Sequence, residues 1–458
     1  MLDALSSALG NAVATDALTL DTARADKSGF TSNARPLAVV TARTIDDVQA
    51  TLRIATQYGT PVVTRGAGTG LAGGATAGKG EIVLSTLALD QIVEVSTVDE
   101  IAVVQAGVIN GDLNSHLSSV GYWFAPDPAS RAISTIGGNI ATNAGGLLCA
   151  KYGVTREAVL GLTVVLADGS LMRTGRRSIK GVTGLDLTAL MIGSEGTLGV
   201  IVDATVRIRP RPREHPVTVS AWFADVESAL AASASITATG TMPAIMELVD
   251  AGGVEAISSY WAHASPGAEH AEVHGTVHLL VQVDGDAATG DADEIARIVE
   301  QHGGTSTLTA DPLATEQLLT VRRSFHTALE RLGTVLIEDV CVPRSALPDM
   351  FREIAGIEQR FGLNIPTVAH AGDGNLHPNF VVDSTHGTDG VPENVWEAAS
   401  ELFRAALRLG GTLTGEHGVG LLKKRWLREE LGEHQLRIQR EIKAVFDAQG
   451  ILNPGKVF

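Results

Sequence analysis

Residues 61–85 read PVVTRGAGTGLAGGATAGKGEIVLS, two apolar runs around a loop built almost wholly of Gly, Ala and Thr. Gly68, Gly70 and Gly73 match G-x-G-x-x-G directly after a strand pattern. A dinucleotide-binding turn of that type needs a helix to begin there, so that its positive N-terminus faces the pyrophosphate. Here more Gly and Ala follow, and then EIVLS, which reads as another strand. Gly73 to Lys79 also approaches a nucleotide-binding P-loop, but Gly80 stands where Ser or Thr is required, and again no helix follows. The segment therefore reads as strand–loop–strand, with unhindered amides able to form an anion nest and Arg65 at its entrance.

Upstream, AVVTA (38–42) predicts a strand and Ile45–Tyr58 a helix, with Ile45, Val48, Leu52 and Ala55 on one face. Asp46 and Asp47 suit the positive end of that helix. Residues 2–30 read as one short amphipathic helix and a polar connection. Downstream, strands are expected at EIAVVQAG (100–107), LTVVLADGS (162–170) and GVIVDATVRI (199–208), with a helix over Asn110–Val120. RPRPREHP (209–216), with three prolines in eight residues, marks a boundary. Beyond it the pattern predicts a strand at VTVSAWF (217–223), helices near 225–238 and 242–258, a strand at TVHLLVQV (276–283) and a helix near 291–302. That alternation points to a smaller α+β domain with an antiparallel sheet. The expected division is 1–33 as N-terminal helix and connection, 34–212 as a ligand-binding domain, 213–409 as a second domain, and 410–458 as a C-terminal segment with helices that packs back on the first.

The 458 residues carry 35 Lys+Arg against 52 Asp+Glu, a net charge of −17 that argues against nucleic acid as a partner. Two cysteines exclude a disulfide framework and a Cys-rich zinc module. There is no run of eighteen apolar residues, and MLDALSSALGNAVATD lacks the order of a signal peptide, so a cytoplasmic location is expected, with any membrane contact peripheral. The 50 glycines exceed the ~7 % average share and gather at 66–80, 137–146, 181–199, 371–374 and 410–420. Clumped glycine between apolar runs marks places where backbone approaches a ligand closely.

PDPASRAISTIGGNIATNAGG (126–146) adds short polar groups in Ser134, Thr135, Asn139, Thr142 and Asn143, and GSEGTLGVI (193–201) repeats the theme before a strand. Three clumps fit an extended polar ligand better than a single phosphate. In these motifs the chain resembles the FAD-linked oxidoreductases of the vanillyl-alcohol-oxidase type, and within them the D-lactate / glycolate / D-2-hydroxyglutarate dehydrogenase branch. The resemblance spans about Arg35 to Phe458. It implies an α+β architecture: a two-subdomain FAD-binding (PCMH-type) domain plus a substrate-binding cap with antiparallel sheet. It also implies cofactor contacts at Arg65, Gly66, Gly68, Thr69, Gly70, Leu71, Gly73 and Gly74 around the pyrophosphate. Pro126, Asp127, Thr135, Gly138, Asn139, Thr142, Asn143, Gly145, Glu195, Gly199, Val200, Ile201 and Asn453 are implied along the rest of the cofactor. Thr69 stands where covalently linked relatives carry His, so the FAD is expected to be non-covalent, and Cys149 reads as a packed residue.

HAGDGNLHPN (370–379) and GEHG (415–418) carry the other chemistry. Two imidazoles and a carboxylate form a three-ligand set with an open position, suited to Zn²⁺ or Mn²⁺. Glu416 and His417, if extended, would point to opposite sides. The resemblance implies that His370, His377 and Glu416 bind metal, that His417 is the base and that Asn379 contacts substrate. Among the other histidines, His263, His270, His274 and His278 read as surface or sheet residues. Arg322 and Arg323 are candidates for a bidentate grip on a carboxylate. By resemblance Arg322 has that role; His326, one helical turn later and so on the same side, is a further candidate to line the substrate pocket. The hydroxyglutarate subgroup carries a lysine before EDVCVP; here Ile337 and Glu338 stand there, which favours a monocarboxylate.

The expected activity is oxidation of a D-2-hydroxy acid to the 2-oxo acid. Glycolate-oxidase FAD subunit and D-2-hydroxyglutarate dehydrogenase are the nearest alternatives; a flavin-free metal hydrolase, a UDP-sugar-type reductase and a non-catalytic subunit are further ones. The electron acceptor is left open among quinone, cytochrome, electron-transfer flavoprotein and O₂, an artificial dye serving in assays, and a homodimer is one expected assembly.

Overall fold

The computed structural model describes residues 1–212, 214–264, 273–382 and 391–458. His270 lies outside them. The chain divides into two compact units, one formed by 1–146, 153–211 and 416–458, the other by 147–152 and 212–415. The boundaries read from sequence at 212/213 and 409/410 lie here at 211/212 and 415/416, and residues 147–152 join the second unit. Their side chains account for that: Lys151 pairs with Asp284, and the Tyr152 hydroxyl lies 2.5 Å from Asp284 Oδ2.

The first unit holds two sheets. Ala38–Thr41, Ile82–Ser85 and Val62–Arg65 run parallel, with Val13–Ala14 antiparallel at the edge. The helix Ile45–Tyr58 connects two of these strands. It starts at a capping box between Thr44 and Asp47 and ends at left-handed Gly59. Its Val48, Leu52 and Ala55 join Val40, Val62, Ile82 and Leu84 in one core. The second sheet is antiparallel, in the order Ile92–Ser96, Ile101–Gln105, Val200–Arg207, Val159–Val165, Leu171–Gly175. The C-terminal tail runs alongside the first sheet, Val62 N donating to Ile451 O at 2.8 Å and Asn453 N to Val62 O at 2.8 Å.

In the second unit one antiparallel sheet runs Thr305–Thr309, Val217–Phe223, Val277–Val283, Ile245–Val249, Thr367–His370, Asn375–Val382, Thr334–Ile337, and Val340–Cys341 also pairs with Asn375–Val382. The helix expected near 242–258 is corrected: Ile245–Val249 is a strand buried along its whole length, followed by a helix over Ala251–Ala264. IMELV is a continuous apolar run apart from Glu247, and a strand hydrogen-bonded on both edges and covered by helices shows no alternation. Val254, Ile257 and Trp261 of that helix pack with Val321, Phe325 and Leu329 of the helix Pro312–Glu330.

Candidate functional site

In the first unit the loop after Val62–Arg65 is held from below by its own arginine. Arg65 Nη1 donates to Ala25 O at 2.8 Å and Ala75 O at 2.9 Å. A Cβ on Gly68 would stand 2.2 Å from Arg65 Nη2, so the close pass of the loop over the guanidinium requires glycine. Gly66, Thr69, Gly70, Leu71 and Gly74 are half-buried along this loop, and Gly73 is buried. Asp26, which sequence reasoning missed, accepts from Ala75 N at 3.3 Å.

TIGGNIATN folds into the short helix Ile136–Thr142, Thr135 accepting from Gly138 N at 3.1 Å and Asn143 closing it in the left-handed region. Thr142 Oγ1 bonds back to Gly138 O, Asn143 Oδ1 accepts from Arg156 N at 2.9 Å, and Pro126 O accepts from Asn110. A Cβ on Gly146 would meet Asp127 O at 2.4 Å and one on Gly145 would meet Glu416 Oε2 at 2.5 Å.

Thr64 Oγ1, Ser134 Oγ, Asn139 Nδ2 and Asn453 Oδ1 are all buried with no hydrogen-bond partner among the described residues. Native interiors leave few such atoms unpaired. Four of them beside the glycine-rich segments of one unit fit a long ligand bearing phosphate, hydroxyl and ring heteroatoms, which is the chemistry of FAD.

Two parts of the expected cofactor set do different work. Glu195, at φ 49°, accepts from Val419 N at 2.8 Å and Gly420 N at 2.9 Å, so both carboxylate oxygens clamp the backbone just past Glu416 and His417. Burial pushes its carboxyl up to about 7 against the pull of those two amides. Gly199 packs against Val164, and Val200 and Ile201 are buried in two different cores of the unit. Asn453 Nδ2 donates to Gly74 O at 3.0 Å and Glu195 O at 2.7 Å, joining the tail to the first loop.

Glu416 and His417 do not point to opposite sides: His417 Nε2 lies 3.8 Å from Glu416 Oε1. The segment is a loop, with Gly418 at φ 86°, so the alternation of a strand does not apply.

In the second unit the two histidines of HAGDGNLH stand on adjacent strands of a tight hairpin. Their Nε2 atoms are 3.2 Å apart and their rings edge-to-face. Each ring has a carboxylate behind Nδ1. Glu247, opposite His370 in the sheet register, accepts from His370 Nδ1, and Asp339 Oδ1 lies 3.8 Å from His377 Nδ1. Asp339 is completely buried and takes hydrogen bonds from Asn375 Nδ2 at 2.7 Å and from the Thr414 hydroxyl. Because a carboxylate only accepts, His370 carries its proton on Nδ1 and turns the Nε2 lone pair toward His377. Imidazoles backed by carboxylates are a donor set that fits a divalent cation.

The second oxygen of Glu247 accepts from Arg322 Nε at 2.8 Å. Burial raises the Glu247 carboxyl, but His370 and Arg322 outweigh it and hold it below the usual carboxylate range. Arg322 is one-fifth exposed and is paired with Glu247 through Nε, whereas Arg323 is half exposed and paired with Glu316. Asn379 is buried and donates to His377 O at 2.7 Å, steadying the histidine strand. His326 does not join this cluster: its ring is 47 % exposed and lies 3.2 Å from Glu330, one turn further along the helix. His278 is fully buried, bonded to Ser220 at 2.8 Å, with its ring centroid 4.4 Å from that of Trp222 and the planes tilted by 36°. Glu247 escaped sequence reasoning because its strand read as helix; a lone acid inside an apolar strand run was the available signal.

Residues 36–175 match the family described as FAD binding domain, and residues 212–457 match FAD linked oxidases, C-terminal domain. The glycolate oxidase subunit GlcD of Bacillus subtilis is 40 % identical over 427 residues, covering 92 % of this chain and 89 % of that one. The D-lactate dehydrogenase of Archaeoglobus fulgidus is 34 % identical over 425 residues, covering 93 % and 92 %. Among solved structures, p-cresol methylhydroxylase with substrate bound superposes with a TM-score of 0.79 at 17 % identity, over 100 % of this chain and 96 % of that one. That likeness shows the fold: a PCMH-type FAD-binding fold of two domains, with mixed helix and antiparallel sheet and a helical C-terminal segment.

Proposed function

The chain belongs to the FAD-linked oxidoreductases of the vanillyl-alcohol-oxidase type, in the D-lactate / glycolate dehydrogenase branch, and on that premise we propose that it oxidises a D-2-hydroxy acid of the D-lactate kind to the 2-oxo acid with the aid of a divalent metal. The observation that carries this reading is the Arg322–Glu247–His370–His377 cluster. It offers a guanidinium for a carboxylate beside two imidazole Nε2 atoms 3.2 Å apart, and a 2-hydroxy acid presents a carboxylate next to an alcohol.

Arg322 holds the substrate carboxylate through its Nη groups. His370 and His377 hold the metal through Nε2, with Glu416 as the third ligand on the strength of the GEHG motif. An ion so held supplies the Lewis acidity that makes an alcohol more acidic. His417 accepts the hydroxyl proton at a ring nitrogen, a task suited to imidazole at neutral pH. Thr64, Ser134, Asn139 and Asn453 pair their buried polar atoms with FAD, which supplies two-electron acceptance when bound. Ile337 and Glu338 supply no cation for a second carboxylate, which favours a monocarboxylate over a dicarboxylate.

A second reading, the FAD subunit of a glycolate-oxidising complex, is favoured by the 40 % identity to a relative named as such a subunit. One panel tests both. D- and L-2-hydroxy acids, glycolate included, are offered to the purified flavoprotein with an artificial acceptor dye while flavin bleaching is followed. D-lactate is expected to bleach fastest. Flavin left oxidised by every 2-hydroxy acid would overturn both readings, and bleaching by glycolate alone would select the second.

A further inference from the structure

Glu247 stands in the middle of a strand whose other residues, Ile245, Met246, Leu248 and Val249, are apolar and buried, and it is itself 1 % exposed. Burying a carboxylate costs several kcal/mol even when it is well paired, and an apolar side chain would suit this position better on stability alone. The register sets it directly opposite His370, close enough for side chains on one face to meet. Its two oxygens divide: Oε1 accepts from His370 Nδ1 and Oε2 from Arg322 Nε at 2.8 Å.

Each contact fixes a different property. The bond to Nδ1 sets the tautomer and ring orientation of His370, leaving Nε2 as the lone-pair donor. The bond to Nε fixes one edge of the guanidinium and leaves the two Nη groups out of that contact. A single rigid carboxylate thus sets both the cation-binding and the anion-binding group.

We propose that Glu247 is a positioning residue that couples metal retention by His370 and His377 to carboxylate capture by Arg322, so that its loss weakens both at once. This rests on the substrate and metal reading above.

The test uses the full-length flavoprotein with Glu247→Gln and Glu247→Asp. Zinc affinity is measured by competition with a chromophoric chelator, and D-lactate KM and kcat are measured with an acceptor dye. Gln keeps the size but puts a donor NH₂ against one of its two donor partners. It is expected to weaken zinc binding ~10–100-fold, the usual effect of losing a carboxylate behind a metal-binding His, and to raise KM as well, with flavin content unchanged. Asp keeps the charge but is one methylene short of spanning both partners, and is expected to recover one of the two properties in part. A change confined to zinc or to KM would overturn the coupling, as would no change in either. Loss of soluble, flavin-loaded protein in both variants would also overturn it, in favour of a purely structural role. If the unaltered protein binds no zinc or manganese or oxidises no 2-hydroxy acid, the failure belongs to the proposed function and not to Glu247.

Discussion

Arg322→Lys gives the sharpest check on the proposed grip of Arg322 on a substrate carboxylate. Removing the charge altogether would leave the buried Glu247 short of a counter-charge, a change that costs ~3–5 kcal/mol and would confuse binding with folding. Lysine keeps the charge and loses the fork. Arg322 spends Nε on Glu247 at 2.8 Å and has two Nη groups in hand, whereas an ammonium is a single point that serves either Glu247 or the ligand well. The ligand therefore loses one charge-assisted hydrogen bond, worth ~1.5–3 kcal/mol when shielded. The side chain is 20 % exposed, so water screening reduces that to ~1–2 kcal/mol. The expected result is a D-lactate KM raised ~5–30-fold with flavin content unchanged, because the cofactor loops lie in the other unit. Steady-state kinetics with an acceptor dye, alongside flavin absorbance and a thermal melt, separates the terms. A KM within twofold of the parent, with kcat reduced, would refute the carboxylate role and leave Arg322 as a mere partner of Glu247.

Other outcomes follow from single contacts. His278 is fully buried, and burial pushes its imidazole down to about 3. Its stabilising contribution is complete above the unfolded value near 6.5 and is lost as pH falls toward 3; by pH 5 the loss is ~2 kcal/mol. Urea unfolding of the parent at pH 8 and pH 5 should show that excess loss relative to His278→Phe, and equal losses would contradict it. A Cβ on Gly420, at φ 48°, would lie 2.1 Å from Ala72 O and displace Leu421 N from its 2.8 Å bond to the same oxygen. Gly420→Ala should cost ~2–4 kcal/mol and shed flavin on gel filtration, which a parent-like melt and retained colour would disprove. Burial, with Asp373 and Asp339 nearby, pushes the Cys341 thiol up to about 12, so native protein at pH 8 should resist iodoacetamide there until it is unfolded. Rapid native alkylation at Cys341, read by peptide mass spectrometry, would count against that environment.

The local elements that depend on short-range pattern were legible in the chain itself. Helix Ile45–Tyr58 with its Thr44 cap, the strands on either side of RGAGTGLAGG, and the tight segment between His370 and His377 all follow from spacing, capping and glycine chemistry. The choice of a strand–loop–strand over a dinucleotide turn rested on what comes after the glycines, which is local information. Motif chemistry likewise put forward Arg322, Arg323, His370 and His377 as candidates, and the family resemblance chose between the two arginines.

Tertiary structure alone decided which groups stand behind those side chains. The strand Ile245–Val249 carries no period that distinguishes it from a helix, because it is buried on every side and its context lies in neighbours distant in sequence. Its pairing with Thr367–His370 brings Glu247 across 123 residues of chain to His370, and helix packing brings Arg322 to the same carboxylate. His326 and Glu195 illustrate the same limit from the other side. Helical spacing admitted the first and family resemblance the second as ligand contacts, yet the ring lies beside Glu330 and the carboxylate accepts from the amides of Val419 and Gly420. A residue's type and spacing declare what it can bind; the register of non-local strands and the competition among nearby partners decide what it does bind.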